Sequence, residues 1–176
     1  MNATTAASRA WLPALSPAAW RDVALPKEHG SWSLAFEPLA LGLLAAPSWA
    51  GGLLGLAVGA GFFCRRPLRN ALHDRDESRR RIARSVLAGC AALALAALAG
   101  AVALRGLEWL RWLLPALGCG AVFSIYDLRN GGREEVAELA GTAAFASLPG
   151  ALAILGGWTP GAALALAAVM GGRALP

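Results

Sequence analysis

The first residues that could do chemistry form a polar cluster where the first apolar region begins. Lys27, Glu28 and His29 are consecutive, and Ser33 and Glu37 follow four and eight residues after His29. In a helix, residues at this spacing lie on one face. A carboxylate inside a membrane is costly unless it is paired or protonated, and such groups usually face a bundle interior. The pattern predicts a polar site that includes Lys27, Glu28, His29 and Glu37, whereas a helix that begins late would leave Glu37 interfacial.

An arginine-rich segment forms the second cluster, with eight arginines in residues 65–84. One guanidinium group can donate two parallel hydrogen bonds to the oxygens of a phosphate. Oxygens of Asn70, Asp74 and Asp76 could hold a divalent ion such as Mg²⁺ that bridges to a diphosphate. The same arginines are also what membrane topology alone requires beside two helix ends. Both interpretations stay open, and the ligand-binding residues predicted in this segment are Arg66, Arg69 and Asn70.

A third cluster follows a later apolar run and begins with Asp127, which is predicted both as a ligand-binding residue and as a metal ligand. Residues 68–70, Leu-Arg-Asn, recur sixty residues later as residues 128–130. This recurrence indicates a parallel repeat whose two copies share one cytoplasmic polar site. The other ligand-binding residues predicted here are Arg129, Arg133 and Glu138.

The composition favours a membrane protein. Of 176 residues, 57% are hydrophobic, and 96 fall in four runs without a charged residue: 38–64, 85–104, 112–126 and 139–172. Helices of a soluble domain need a charged face toward water, whereas apolar runs of about 18 residues match a hydrocarbon core roughly 30 Å thick. The sequence therefore predicts an all-α polytopic transmembrane bundle. It excludes a nucleic-acid-binding module despite a net charge of +5, and three cysteines without CxxC spacing exclude a disulfide scaffold.

Turn residues divide the two longest runs at Pro47 and at Pro160. A single helical domain over residues 26–176 is predicted after a cytoplasmic tail at 1–25. Residues 161–172, which follow the second turn, give only about 18 Å of helix before Arg173, so we expect either a re-entrant segment or a truncated chain. The five to six predicted spans cover about residues 32–46, 49–64, 86–104, 109–126, 139–155 and, in part, 161–176.

The distribution of basic residues predicts the orientation. Thirteen Lys and Arg residues fall on one side of these spans, against Arg105 and Arg111 on the other, with Arg173 unassigned. Positively charged loops stay in the cytoplasm, so the N-terminus and both long polar loops are expected there. Four tryptophans then share the opposite membrane surface as interfacial residues: Trp49, Trp109, Trp112 and Trp158.

Residues 26–32, Pro-Lys-Glu-His-Gly-Ser-Trp, resemble the opening signature of the YwiC-like family of bacterial multi-pass membrane proteins. The segments 65–67 and 138–141, and Tyr126-Asp127 with Arg133, are similar to later motifs of that family. The likeness covers the chain from about residue 25 onward. It implies a multi-pass protein of the bacterial inner membrane and a chain that continues past residue 176, and it implies no particular reaction.

A more distant similarity is to UbiA-type prenyltransferases, whose cytoplasmic loops carry Asn/Asp-rich motifs that bind magnesium diphosphate. Asn70, Asp74 and Asp76 correspond to the first of these motifs and Asp127 to the second. The spacing of the aspartates differs, and the second cluster follows the fourth predicted span rather than the sixth. This similarity implies Mg²⁺ as a cofactor and a prenyl diphosphate as a ligand.

Three classes of function fit these observations. The first is a cytoplasm-facing polar site for an anionic or diphosphate-bearing ligand, with an anionic lipid or a prenyl diphosphate as partner. The second is a small ion-coupled transporter in which Glu37 and Glu138 take up and release protons. The third is a membrane assembly or scaffold subunit, because the small-xxx-small steps of Gly51, Gly55 and Gly59 would allow an oligomer.

Overall fold

The computed structural model describes residues 30–129 and 134–174. These residues form helices joined by short turns, and no strand occurs among them, which confirms the predicted all-α class. The elements are α1 (Gly30–Ala45), α2 (Trp49–His73), α3 (Glu77–Arg105), a 3₁₀ helix (Glu108–Leu113), α4 (Leu114–Leu128), α5 (Glu135–Leu155) and α6 (Pro160–Ala174).

Three segments of the described chain are long and apolar enough to cross a membrane: Glu77–Arg105, Glu108–Leu128 and Glu135–Leu155. The apolar window of α5 is 56% buried, whereas those of α3 and of the segment that contains α4 are each 11% buried. Helix α5 is therefore the central helix, and it packs against α1, α4 and α6. The apolar side chains on the outer faces of α3 and α4 suit contact with lipid.

Helices α2 and α3 form a long antiparallel hairpin that differs from the predicted polar loop. The helix does not end near Cys64 but continues through the buried Pro67 to His73, so only residues 74–76 of the arginine-rich segment lie outside a helix. The Asp76 carboxylate accepts a hydrogen bond from the Ser78 N–H at 2.9 Å and caps α3. With 25 residues, α2 is about 37 Å long and exceeds a 30 Å core, so its charged end can stand outside the hydrocarbon.

Glycines permit the closest helix contacts in the bundle. A Cβ at Gly42 of α1 would lie 2.5 Å from Leu152 Cδ1 of α5. Similarly, a Cβ at Gly156 would lie 2.6 Å from the Ala46 Cβ. These contacts set α1 and α5 parallel, with residue 42 level with residues 149–152. The two helices therefore share one register along the bundle.

Two of the three glycines in the small-xxx-small steps of α2 lie against other helices of the same chain. A Cβ at Gly51 would lie 3.5 Å from Leu152, and one at Gly55 would lie 3.3 Å from Leu43, whereas a Cβ at Gly59 would meet nothing within 4 Å. Gly51 and Gly55 thus let α1 and α5 approach α2. An oligomer through this glycine face stays a prediction.

The four tryptophans expected at one surface do lie in the turns at one end of the bundle, but their environments differ. Trp49 is 89% exposed and Trp158 is 38% exposed, as interfacial residues would be. Trp109 is 3% exposed, and its Nε1 has no hydrogen-bond partner among the described residues. The prediction that Trp109 is interfacial is therefore wrong. The 3₁₀ helix directs Trp109 and Leu113 into the hydrophobic core, where they pack with buried residues of α5.

Candidate functional site

An ion pair between Arg65 and Asp127 joins α2, eight residues before its end, to the last turn of α4. Arg65 Nε donates to Asp127 Oδ2 and Arg65 Nη2 donates to Asp127 Oδ1, both at 2.8 Å. The guanidinium carbon also lies 4.7 Å from the centre of the Phe123 ring. Asp127 is 5% exposed and is the one buried charged residue in the described part of the chain. A bidentate pair with a stacked ring fixes the plane of the guanidinium, so Asp127 positions Arg65.

Arg69 lies one helical turn beyond Arg65 on the same face of α2. It is close enough to Asp127 for an electrostatic interaction, and it forms no ion pair with a described residue. Two guanidinium groups therefore share one carboxylate. Arg69 is half-buried, and its guanidinium donors suit an anion such as phosphate.

Arg66 directly follows Arg65 in α2 and Asn70 directly follows Arg69, and both Arg66 and Asn70 are half-buried. Residues one apart in a helix do not share a face, so neither belongs to the Arg65–Arg69 face. The Nδ2 atom of Asn70 is buried without a hydrogen-bond partner among the described residues. An unpaired buried amide is costly, so Asn70 marks a second polar position on α2.

The carboxylates predicted as metal ligands each have a structural role. Asp74 accepts a hydrogen bond from the Asp76 N–H at 3.0 Å and forms an ion pair with Arg79 at 3.3 Å. Asp76 caps α3, and Asp127 binds Arg65. Nowhere in residues 30–129 and 134–174 do three His, Cys, Asp or Glu side chains gather as a metal site. The Mg²⁺ site at Asn70, Asp74, Asp76 and Asp127 stays a prediction, and its three carboxylates are engaged in the protein contacts given above.

Glu37 lies in α1 beside the buried Pro38 and pairs with Arg173 of α6 at 2.5 Å. The predicted role of Glu37 in a shared polar site with the arginine-rich segment stays a prediction, because its partner belongs to the last described helix. Its partner is the arginine whose side of the membrane the sequence left unassigned. The pair joins α1 to α6, whereas Asp127 belongs to α4.

The other predicted site residues lie apart from the Arg65–Asp127 pair or outside the described residues. Arg129 is exposed at the end of α4, and Glu138 is exposed in the first turn of α5, where a carboxylate is favourable for the helix dipole. Neither side chain has a partner within residues 30–129 and 134–174, so both stay predictions. Four predicted residues lie outside the described residues: Lys27, Glu28, His29 and Arg133.

An aromatic cluster lies near the ion pair on the side of α1. The Trp32 ring lies 5.5 Å from Phe63 and stacks on Phe36 at 5.6 Å. Phe62 joins the cluster at 5.8 Å from Trp32, and it also contacts Phe145 of α5 at 6.3 Å. Phe62 and Phe63 lie three and two residues before Arg65, so the cluster is within one helical turn of Arg65 along α2.

The recurring Leu-Arg-Asn tripeptide has a different structure in its two copies. Arg69 is inside α2, which continues for another four residues, whereas Arg129 ends α4. Asn130 of the second copy is outside the described residues. The two copies are therefore not equivalent in secondary structure.

Sequence reasoning missed Arg65, Phe123 and Arg173 as functional candidates. Arg65 was missed because the helix was expected to end at Cys64, and a continuous helix would have placed Arg65 and Arg69 on one face. Phe123 lies one helical turn before Asp127, which is a readable signal. Arg173 could not be paired with Glu37 from sequence, because 136 residues separate them along the chain.

Comparisons with known proteins identify the family. No curated protein and no solved structure matches the chain. Residues 25–154, about three quarters of the sequence, match the family described as YwiC-like protein. The matched region includes α1 to α4 and nearly all of α5, and therefore includes the Arg65–Asp127 pair. With its membrane-length apolar helices, this chain is a membrane protein that belongs to the YwiC-like family.

Proposed function

We propose that this multi-pass protein binds a phosphate or diphosphate group at the Arg65–Arg69 face of α2. The observation that carries the proposal is the pre-positioned Arg65, held by Asp127 and Phe123, with a second arginine one turn away. Arg69 adds a second set of guanidinium donors to the face that Arg65 occupies. A phosphate oxygen is the acceptor that arginine forks bind best.

The depth of these residues supports a ligand at the membrane surface. Arg65 is 16 residues from Trp49, the first residue of α2, which is about 24 Å along a helix, and Arg69 is about 30 Å along it. If Trp49 marks one membrane surface, Arg69 lies at the opposite boundary of a core roughly 30 Å thick. Lipid phosphates lie at that depth. The excess of arginines favours the cytoplasmic side of a bacterial inner membrane for it.

The aromatic cluster supports an amphiphilic ligand over a free anion. The cluster lies within one helical turn of Arg65 along α2, on the side of the membrane centre, and its Trp32 and Phe63 rings are only half-buried. Such a surface can accept a hydrocarbon chain while the arginines hold the headgroup. An anionic lipid or a prenyl diphosphate would satisfy both parts. Transfer of the chain to a second substrate is not part of the proposal.

The test measures ligand binding to the purified full-length protein by thermal shift or calorimetry. The probes are sodium diphosphate, farnesyl diphosphate and vesicles that contain phosphatidic acid, each with and without EDTA. We expect Arg69→Gln to weaken binding by about tenfold or more, the equivalent of about 1.4 kcal/mol. Arg84→Gln is the matched control, because Arg84 is an exposed arginine of α3 on the same charged hairpin.

A comparison of the three probes distinguishes a free diphosphate from a phosphate group carried by a prenyl chain or by a lipid. Tighter binding of farnesyl diphosphate or of phosphatidic acid vesicles than of free diphosphate supports an amphiphile, and the stronger of the two identifies its chain type. Loss of binding in EDTA would show that a divalent ion takes part. Equal effects of Arg69→Gln and Arg84→Gln, or no binding by any probe, would reject the proposed site.

A further inference from the structure

A second polar feature lies away from the Arg65–Arg69 face, on the outer side of α1 and α6. It is the ion pair between Glu37 and Arg173. Both side chains are incompletely covered, with 45% of Glu37 and 69% of Arg173 exposed. The two helices both pack on α5, so the pair bridges neighbouring helices of the bundle.

The packing register places this pair near the middle of the bundle. Gly42 packs against Pro149 and Leu152, so Glu37 is level with about residues 144–147 of α5. These residues are about 12–18 Å from either end of α5 at 1.5 Å per residue. If α5 spans a core about 30 Å thick, Glu37 lies close to its centre.

Lipid is a poor cover for such a face. Ionised side chains within the hydrocarbon almost always face a bundle interior or a polar cavity. Helix α3 shows the contrast, because its exposed stretch over residues 85–104 contains no charged residue. The exposed face of α1 and α6 instead carries one acid and one base. That face therefore requires protein against it.

The exposed residues of both helices form continuous stripes. In α1 they recur with helical spacing around Glu37, and in α6 they include small side chains spaced three and four apart. Small residues let two helices approach closely in a membrane. The exposed stripe of α1 consists of Ser33, Phe36, Glu37, Ala40 and Leu44, and that of α6 includes Gly161, Ala165, Ala168 and Gly172.

We infer that a second copy of this chain covers this face, with the two-fold axis along the membrane normal. Under this symmetry, groups at similar depth in the two copies face each other. Glu37 of each copy then meets the partner's Arg173, and the four charges close into one network inside protein. One acid and one base per chain make the face complementary to itself.

The experiment uses the full chain with Cys64, Cys90 and Cys119 changed to Ser, reconstituted at a high lipid-to-protein ratio. A single cysteine is introduced as Ala168→Cys on α6, and Leu95→Cys on α3 is the control, since Leu95 is 67% exposed on an uncharged face. A bis-maleimide should join two copies through position 168 and not through position 95. Equal cross-linking at both positions, or none at position 168, would overturn the inference.

The charges are tested by the association constant from energy transfer between labelled copies in vesicles. Glu37→Gln and Arg173→Gln should each lower it by about tenfold or more, which is about 1.4 kcal/mol. The exchange of both residues, Glu37→Arg with Arg173→Glu, should restore it. Ala168→Leu keeps the ion pair but fills the stripe, and it should also weaken association. A monomeric wild type, or charge variants that associate as the wild type does, would show that the face is not a dimer interface.

Discussion

At the scale of single residues, the Arg65–Asp127 pair joins α2 to the last turn of α4. Asp127 is almost completely buried, so its charge depends on the guanidinium for compensation. Removal of one partner from a buried pair leaves an uncompensated charge, which costs more than the pair itself contributes. The pair is therefore expected to be more sensitive to a single substitution than to the loss of both charges.

This difference gives a prediction about stability. Arg65→Gln should lower the free energy of unfolding in micelles by about 3–5 kcal/mol, because Asp127 stays buried without its partner. The double variant Arg65→Gln with Asp127→Asn should lose clearly less. Glu77→Gln is the control, since the Glu77–Arg80 pair is exposed and should contribute at most about 1 kcal/mol. A double variant as unstable as Arg65→Gln would mean that Asp127 does not depend on Arg65.

At the scale of helices, close packing of α1 on α5 depends on the absence of a side chain at Gly42. A Cβ there would lie 2.5 Å from Leu152 Cδ1 and 3.1 Å from the Pro149 Cα. The leucine end can rotate away, but the backbone at Pro149 cannot move without shifting α5. An added methyl group therefore has to separate two helices.

We predict that Gly42→Ala lowers the free energy of unfolding by about 1–3 kcal/mol, the usual cost of an overpacked core. Gly59→Ala is the matched control in α2, because a Cβ at Gly59 would meet nothing within 4 Å. That control should be neutral, or stabilising by up to about 1 kcal/mol, since Ala favours a helix over Gly. Thermal denaturation in detergent compares the two, and equal losses would show that the contact at Gly42 does not limit packing.

At the scale of the whole molecule, the arginine-rich hairpin tip and the tryptophan-bearing turns lie at opposite ends of the bundle. The orientation of these ends in the membrane is a prediction from charge. Reporters fused after Arg84 and after Glu138 should stay cytoplasmic, while one inserted near Gly106 should be exported. If a reporter fused after Arg84 were exported instead, the predicted orientation would be wrong, and the Arg65–Arg69 face would lie outside the cytoplasm.

The sequence by itself determined the helical class, the membrane and the turns near Pro47 and Pro160. These follow from local properties, namely charge-free runs of membrane length and residues that break helices. It could not determine where α2 ends, because Pro67 and several charged residues signal a loop when only neighbours are considered. Burial of Pro67 and packing against α3 keep that segment helical.

The partners of the charged residues were decided only by the tertiary structure. Arg65 and Asp127 are 62 residues apart, and Glu37 and Arg173 belong to the first and last described helices. Nothing local selects one arginine among fifteen as the partner of a given carboxylate. The selection follows from which helices pack on α5 and at what height, and these depend on shape-dependent contacts such as Gly42 on Leu152. A pattern of charges predicts that partners are required in a membrane, whereas helix packing decides which side chains can meet.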